Sequence, residues 1–245
     1  MLDLLDAELP TPARGVFTTR AGGVSAGPWL GLNLSVKVDD QFSRVDTNRQ
    51  LLERLVGSPL VLAQQVHGSG VRLVETPSNS SRQAGIRGVD ALVTTRRGLR
   101  LTVLGADCLP VLLADPVANV IAAAHVGRGG LARGVLAETL RVMAEQGADP
   151  ARTAASLGPA VCGGCYEVPE ALAEDVGAAV PGSRSTTRQG TPSLDLTAGA
   201  TRQLLTAGLT DIRPVGGCTL EQPERFYSYR RDGVTGRHAG VVWLP

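Results

Sequence analysis

Three short apolar runs within residues 99–130 constrain the fold more than any other part of the chain. The runs 101–104, 111–114 and 120–124 consist mainly of aliphatic and β-branched residues, and their length is typical of buried strands. Residues 115–119, Asp-Pro-Val-Ala-Asn, have the composition of a turn, because proline presets φ and the Asp and Asn side chains bond their own backbone. The sequence therefore predicts an antiparallel hairpin within a sheet.

The predicted hairpin brings two chemically reactive side chains together. A turn centred on Pro116 and Val117 places Cys108 directly opposite His125, with Cβ atoms about 4.5–5.5 Å apart. A slip of one residue would turn the two side chains to different faces of the sheet, so the prediction depends on register. A thiol beside an imidazole is typical of a metal site or of a Cys–His catalytic pair. The alternative is two core residues without a functional role.

Length, composition and charge limit the class of protein. A chain of 245 residues is long enough for one domain with a large core. A formal net charge of +1 and an aromatic content of 3% argue against a nucleic-acid partner. The sequence shows neither a signal peptide nor an apolar stretch of about 18 residues, so we expect no membrane partner and a cytoplasmic location. Four cysteines in a chain of this length do not indicate a disulfide framework.

Apolar periodicity along the chain predicts both strands and helices within a single domain spanning residues 1–245. Helical spacing and terminal signals predict helices at 43–57, 131–146, 169–180 and 197–207. Few of the central strands are separated by helices, so the pattern is not a regular βαβ series. The sequence predicts a single α+β domain with mixed β-sheets.

The three histidines of the chain are His67, His125 and His238. His67 follows an apolar run and precedes a glycine, which indicates a loop at a strand end where backbone can approach a ligand closely. With Cys108 and His125 it would form a His₂Cys set with an open fourth position, as in catalytic zinc sites. The sequence separations match no compact ligand motif, so spacing alone does not establish this site.

A second thiol motif is Cys162-Gly-Gly-Cys165. The chain has no second Cys-x-x-Cys and only a distant Cys218, so the motif does not have the pattern of a zinc ribbon. A redox dithiol is the functional alternative, with little support from the surrounding sequence. The role of this pair stays open at the level of sequence.

Residues 127–130, Gly-Arg-Gly-Gly, open a predicted helix directly after His125. Free backbone N–H groups and the helix dipole attract anions at such a position, and Arg128 would add positive charge. The segment lacks the Gly-Lys-Ser/Thr end of a Walker loop, and an ordinary glycine-rich turn is the alternative. Further candidate anion partners are Arg20, Arg230, Arg231 and Arg237.

A series of short motifs follows one order along nearly the whole chain. They are Phe-Thr-Thr-Arg-Ala-Gly-Gly-Val-Ser at 17–25, Gly-Leu-Asn-Leu-Ser at 31–35, Gln-Val-His-Gly at 65–68, Ala-Asp-Cys-Leu-Pro at 106–110, Ala-His at 124–125, Gly-Pro at 158–159, Cys-Tyr-Glu-Val at 165–168, Tyr-Arg-Arg-Asp-Gly at 229–233 and Thr-Gly-Arg at 235–237. In this order the motifs resemble the laccase-domain, or polyphenol-oxidase-like, purine nucleoside phosphorylase family.

The resemblance implies a layered α/β/β/α sandwich with a zinc ion on His67, Cys108 and His125. It also implies phosphorolysis of adenosine, inosine and methylthioadenosine to free base and pentose 1-phosphate, with some adenosine deamination. The partners would be a small-molecule nucleoside and phosphate, and the protein would be a cytosolic monomer. Copper-dependent phenol oxidation, the family's older description, fits less well because such oxidases use many histidines and this chain has three.

Roles follow for the remaining candidate residues. Cys108 and His125 are predicted to serve the chemistry as well as the metal. Asp107 is a candidate acid for the departing purine, although regular strand geometry would turn it away from Cys108. The residues predicted to bind substrate or phosphate are Arg20, Asn33, Arg128 and Gly129.

One motif departs from the family pattern. Where the family usually has His-Ala-Gly-Trp-Arg-Gly, this chain has His-Val-Gly-Arg-Gly-Gly at 125–130. The predicted metal ligands are unaffected, but the contact that this loop makes to an anion or a base is altered. This altered loop leaves open a non-catalytic zinc-binding module. The Cys–His pair leaves open a metal-free hydrolase with Cys108 as nucleophile and His125 as base.

Overall fold

The structure, a computed structural model, describes residues 1–57, 59–76 and 85–245. Its strands are β1 (Leu4–Asp6), β2 (Arg14–Thr18), β3 (Leu60–Gln64), β4 (Val71–Leu73), β5 (Ile86–Arg87), β6 (Ala91–Thr94), β7 (Arg100–Gly105), β8 (Leu109–Asp115), β9 (Val120–Val126), β10 (Ala154–Leu157), β11 (Arg184–Thr186), β12 (Pro192–Leu194), β13 (Asp211–Pro214) and β14 (His238–Trp243). Its α-helices are α1 (Phe42–Val56), α2 (Arg128–Ala132), α3 (Val135–Glu145), α4 (Glu170–Ala179), α5 (Leu196–Thr206) and α6 (Tyr229–Asp232).

Most of the strands form two six-stranded mixed sheets. The first sheet has the order β1-β2-β14-β7-β3-β5 and the second the order β13-β10-β8-β9-β6-β4, while β11 and β12 pair separately. In the first sheet β7 pairs with β3 in parallel and with β14 antiparallel. In the second sheet β10 runs parallel to β13 and antiparallel to β8. The prediction of mixed sheets is confirmed.

The two sheets pack face to face between helices. Leu112, Ile121 and Leu101 belong to a buried cluster between the sheets. The outer face of the first sheet packs against α1, and the outer face of the second packs against α3 and α5. Because both faces of β8 and β9 are covered, every residue of these strands is buried, which explains their continuous apolar runs. The layers are α/β/β/α, as the resemblance implied.

The central hairpin forms, but its predicted register is wrong by two positions. Pro110 pairs with His125 and Asp115 with Val120, so the connection has four residues rather than two. The Asp115 carboxylate lengthens the turn by accepting hydrogen bonds from the backbone N–H groups of Val117 and Ala118. An offset of two preserves the face on which each side chain lies.

The helix predicted at 131–146 is instead two helices. The first, α2, begins at Arg128 and has five residues. Gly134 then adopts a left-handed conformation with φ of 78° and precedes α3, a backbone position that favours glycine. The other three predicted helices correspond to α1, α4 and α5. Within the described residues, every helix is too short or too polar to cross a membrane.

Candidate metal centre and cleft

One buried carboxylate organises the loop that carries the first histidine. Asp90 directly precedes β6, and its side chain accepts hydrogen bonds from the backbone N–H groups of Val66, His67 and Gly68 at 3.2, 2.9 and 2.7 Å. Burial alone would raise the pKa of Asp90, but a hydrogen bond from His125 and those from the backbone outweigh it and lower the pKa. An ionised Asp90 therefore holds the backbone of His67 in place.

The same carboxylate orients the second histidine. His125 lies on β9 at the position where the β6–β9 ladder continues to Asp90, and its backbone N–H donates to the Asp90 carbonyl at 2.7 Å. Its ring Nδ1 lies 2.9 Å from Asp90 Oδ1. Because the ionised carboxylate can only accept, Nδ1 carries the proton and Nε2 is available to a metal.

The cysteine joins the two histidines from the bend between β7 and β8. The ligand atoms of His67, Cys108 and His125 all lie within 4.8 Å of one another, and the two imidazole rings are 4.9 Å apart and nearly perpendicular. Continuing the β8–β9 ladder by one residue places Gly127 opposite Cys108. A Cβ at Gly127 would lie 2.8 Å from His67 Cδ2 and 3.0 Å from Cys108 Sγ, so glycine leaves the room that the cluster needs.

The three side chains influence one another's protonation. Burial alone would raise the pKa of Cys108, but the adjacent His125 and His67 outweigh it and lower the pKa to about 6. Burial alone would lower the pKa of His125, but the Cys108 thiolate and the Asp90 carboxylate raise it to about 9. Both shifts favour a thiolate beside an imidazolium when no metal is bound.

The donor set fits a metal ion. Two imidazole nitrogens and one thiolate are ligands that Zn²⁺ accepts at about 2.0–2.3 Å, and three protein ligands leave the fourth position open. The Asp90–His125 hydrogen bond is the outer contact that metal-bound histidines usually have. The sequence prediction that these three residues converge agrees with their positions in the structure.

The cluster lies in a cleft of about 860 Å³ whose described lining is strongly cationic. Six basic residues and one acid line it: Lys37, Arg49, Arg128, Arg133, Arg230, Arg237 and Asp107. Tyr166 and Tyr229 contribute aromatic rings to the same lining. The cleft can therefore neutralise a multiply charged anion beside a metal ion and also offer aromatic faces.

Asp107 faces this cleft, although regular strand geometry predicted the opposite. Residues 106–108 form a bend between β7 and β8 rather than a strand, which lets Asp107 and Cys108 both reach the lining. Its Oδ1 accepts a hydrogen bond from Thr219 Oγ1 at 2.6 Å, and its Oδ2 accepts one from the Arg230 backbone N–H at 2.8 Å.

Only some of the residues predicted to bind substrate or phosphate line the cleft. Arg128 and Gly129 line the cleft, whereas Arg20 and Asn33 do not. Arg20 donates to the carbonyls of Leu30 and Pro223 and lies over the ring of Tyr227. Asn33 is buried and accepts a hydrogen bond from the Arg237 backbone N–H at 3.0 Å. Its link to the cleft is therefore indirect.

Of the other candidate arginines, two line the cleft and one does not. Arg230 and Arg237 line the cleft, whereas Arg231 donates to the carbonyls of Thr219, Leu220 and Phe226. Burial lowers the pKa of Arg237, although Cys108 and Asp107 oppose that effect.

Sequence reasoning did not find Lys37, Arg49 or Arg133. Arg49 lies on the buried face of α1 and donates to the Leu34 carbonyl. Burial lowers its pKa to about 10, despite the opposing effect of Asp46 and Glu53. An arginine among the apolar positions of α1 was the available signal. Arg133, which donates to the His67 carbonyl, gave no comparable signal.

Taken together, the fold and site define a two-sheet sandwich with a candidate His₂Cys metal centre in a cationic cleft. Residues 14–245 match the family described as multi-copper polyphenol oxidoreductase laccase, and the chain belongs to this family.

Relatives named purine nucleoside phosphorylase align with nearly the whole chain. One from Streptomyces griseus is 50% identical over 95% of this chain and 94% of its own length. One from Corynebacterium glutamicum is 49% identical over 96% of this chain and 95% of its own length. These names support an enzyme, and the predicted family resemblance is confirmed.

Solved structures show the same fold. A crystal structure of a Neisseria meningitidis protein matches with a TM-score of 0.87 at 33% identity, covering 99% of this chain and 98% of the other. YlmD from Geobacillus stearothermophilus matches with a TM-score of 0.87 at 29% identity, covering 96% and 92%.

Proposed function

We propose that the protein is a zinc-dependent purine nucleoside phosphorylase. It cleaves adenosine, inosine and methylthioadenosine with phosphate to free base and pentose 1-phosphate, acting as a cytoplasmic monomer of one domain. The observation that carries the proposal is the position of His67, Cys108 and His125 in a cleft lined by six basic residues. The relatives' names support the same activity.

The proposed metal is zinc. A zinc ion held by His67, Cys108 and His125 would supply Lewis acidity in the cleft. Copper, which the family description names, is the weaker proposal because a multi-copper centre consumes many histidines. This chain has three, and His238 lies outside the His₂Cys group.

The basic residues of the cleft are proposed to bind phosphate. An arginine can hold a phosphate through two parallel hydrogen bonds, which fixes its orientation as well as its charge. Arg128 and Gly129 lie shortly after His125 in the chain, and they line the cleft together with Arg237 and Arg230. Arg128 is proposed to take the role of the arginine that the family usually carries one residue later.

Asp107 is proposed to take a proton from the attacking phosphate and to give it to the departing purine. Two hydrogen bonds, from Thr219 and from the Arg230 backbone, fix the direction of its carboxyl group. Tyr166 and Tyr229 are proposed to pack against the base, since an aromatic ring offers a flat apolar face with a polar edge. Phosphate then attacks the sugar C1′ while the bond to the base breaks. Adenosine deamination is proposed as a second activity, in which water attacks C6 of the purine and ammonia leaves to give inosine.

A metal-free Cys–His hydrolase is the second candidate. It is favoured by one observation: the Sγ of Cys108 lies within 4.8 Å of a ring nitrogen of His125, an arrangement that lowers the pKa of Cys108 and raises that of His125. A thiolate paired with an imidazolium is the resting state of such hydrolases.

An assay of adenine release from adenosine separates these functions. The purified protein is tested with and without phosphate, and with and without a zinc chelator. Phosphorolysis requires adenine and ribose 1-phosphate in equal amounts and phosphate dependence, and zinc dependence requires loss of activity on chelation. Release without phosphate would contradict phosphorolysis, and activity that survives chelation but not thiol alkylation would favour the hydrolase. A protein that retains zinc but releases no adenine would be a binding module.

A further inference from the structure

A second group of metal-ligating side chains lies outside the lining of the cleft. The thiols of Cys162, Cys165 and Cys218 and the carboxylate of Glu221 all lie within 4.8 Å of one another. Cys218 is brought to the Cys-x-x-Cys pair by an isolated parallel bridge between residue 218 and Ala160. We call these four residues the thiol cluster.

The Cys-x-x-Cys segment is held in a tight turn before any metal binds. The backbone N–H groups of Cys165 and Tyr166 both donate to the Cys162 carbonyl at 2.9 Å. The Gly163 carbonyl accepts a hydrogen bond from Ser193 Oγ at 2.6 Å. A Cβ at Gly163 would lie 2.8 Å from Ser185 Oγ, so this close packing requires glycine. The two thiols are therefore presented together by a fixed backbone.

Hydrogen-bond donors lie beside two of the three sulfur atoms. The Cys162 backbone N–H donates to Cys218 Sγ at 3.4 Å. Arg188 contacts the Glu221 carboxylate and also lies 3.8 Å from Cys165 Sγ. Once a metal holds the cysteines as thiolates, these donors would offset part of their negative charge, and outer contacts of this kind are typical of metal-bound ligands. Cys162 and Cys165 are partly exposed and Glu221 is exposed, which leaves a path for an ion.

We propose that the thiol cluster is a second zinc site, with a structural role. Thiolates are soft ligands that favour zinc, and four protein ligands give the closed tetrahedral site that structural zinc adopts. Sulfur atoms bonded to zinc at about 2.3 Å lie about 3.8 Å apart in a tetrahedron, within the limit that the thiol cluster already meets. Binding displaces three thiol protons to solvent. Three thiolates and a carboxylate around a dication leave two net negative charges, which Arg188 partly offsets.

A metal ion at this site would link two segments of the chain, and both segments form hydrogen bonds with Asp107. The Val161 backbone N–H, beside Cys162, donates to the Asp107 carbonyl at 3.1 Å. Thr219, beside Cys218, donates to the Asp107 carboxylate at 2.6 Å. An ion bound between the two segments therefore fixes the wall of the cleft without touching its contents. Whether the protein is a phosphorylase does not affect this inference.

Zinc content of matched variants tests the site. After purification with reductant and exhaustive dialysis, we expect two zinc ions per chain in the unmodified protein. His67→Ala, which removes a ligand from the cleft, should retain one, and so should Cys165→Ser. The double variant should retain none. Retention of no zinc by His67→Ala, or a disulfide among the three cysteines that persists after purification with reductant, would overturn the proposal.

X-ray absorption at the zinc edge identifies the ligands even if Cys165→Ser does not fold. In His67→Ala the remaining zinc should have three sulfur neighbours and one oxygen neighbour, and a shell with one sulfur or none would overturn the proposal. Arg188→Gln should weaken zinc binding by about 10–100-fold, as loss of an outer contact usually does. Arg184→Gln, which breaks an exposed pair with Glu170, is its matched control and should leave zinc affinity unchanged. Equal affinity in the two arginine variants would contradict the proposed role of Arg188.

Discussion

The cleft and the thiol cluster use cysteine in opposite ways. In the cleft, two imidazoles lie beside a single thiol and outweigh its burial, and the pKa of Cys108 falls to about 6. In the thiol cluster, burial and the neighbouring thiols raise the pKa of Cys165 to about 12 and also raise that of Cys162. All of these thiols belong to cysteines, so the difference shows that the neighbouring groups decide whether a thiol is charged in the metal-free protein.

Loss of one ligand from each region should separate their roles most strongly. We expect Cys108→Ser to lower phosphorolysis by about 1,000-fold, since a metal ion contributes several kcal/mol of transition-state stabilisation. Cys165→Ser should lower it only a few-fold, because its effect reaches the reaction through the position of Asp107. Steady-state kinetics and metal analysis of both variants provide the measurement. Equal losses of activity would contradict the division into an open site and a structural site.

Alkylation of the metal-free protein should distinguish the thiols next most strongly. At pH 7 Cys108 is largely ionised and Cys165 is not, so Cys108 should react with iodoacetamide about 100-fold faster, even after allowance for its weaker intrinsic nucleophilicity. The rate at Cys108 should rise through pH 6 and become level above pH 7, because deprotonation is then complete. The rate at Cys165 should continue to rise through pH 9. Peptide mass spectrometry follows each site, and matching pH profiles would contradict the contrast.

Asp90→Asn tests whether the Asp90 carboxylate contributes to zinc binding in the cleft but not in the thiol cluster. An amide can still accept from Nδ1 of His125, but it carries no charge, and zinc affinity at the cleft should fall by about 10–100-fold. Binding at the thiol cluster should be unchanged. Competition with a fluorescent zinc chelator measures both affinities. Weakening of both sites would indicate general loss of structure instead.

The smallest expected effects come from a pair of glycine substitutions. Gly127→Ala places a Cβ within 3.0 Å of both His67 and Cys108 side chains, so we expect zinc affinity at the cleft to fall by about tenfold, roughly 1.4 kcal/mol. Gly164→Ala brings its nearest contacts only to 3.6 Å, and both sites should bind zinc normally. The chelator competition used for Asp90→Asn reports both variants. An unaffected Gly127→Ala protein would show that the cleft can widen freely.

The hairpin shows how far sequence can predict this site. Apolar runs and breakers identified β8 and β9, and the face shared by Cys108 and His125 was correct despite the error in register. The error arose because the Asp115 side chain accepts two backbone hydrogen bonds and stabilises a longer turn. The sheet face on which a side chain lies is predicted correctly whenever the error in register is an even number of residues. The register itself depends on the details of the turn.

Contacts between distant segments could not be predicted in the same way. Nothing local indicates that Cys218 pairs with the segment before Cys162, because that bridge joins residues far apart in the chain. Arg20 fits the family motif but is held by carbonyls from two other segments. Asp90, which organises both histidines, directly precedes a buried strand and gave no chemical motif of its own. Such positions depend on the packing of the whole chain.

Because Asp90 accepts a hydrogen bond from the backbone of His67 rather than from its ring, the loop should keep its shape when that ring is removed. A His67→Gly protein would then contain an imidazole-sized vacancy beside a pre-positioned cysteine and histidine. Free imidazole added to the solution could fill it, which would turn this loop into a socket for small exchangeable ligands.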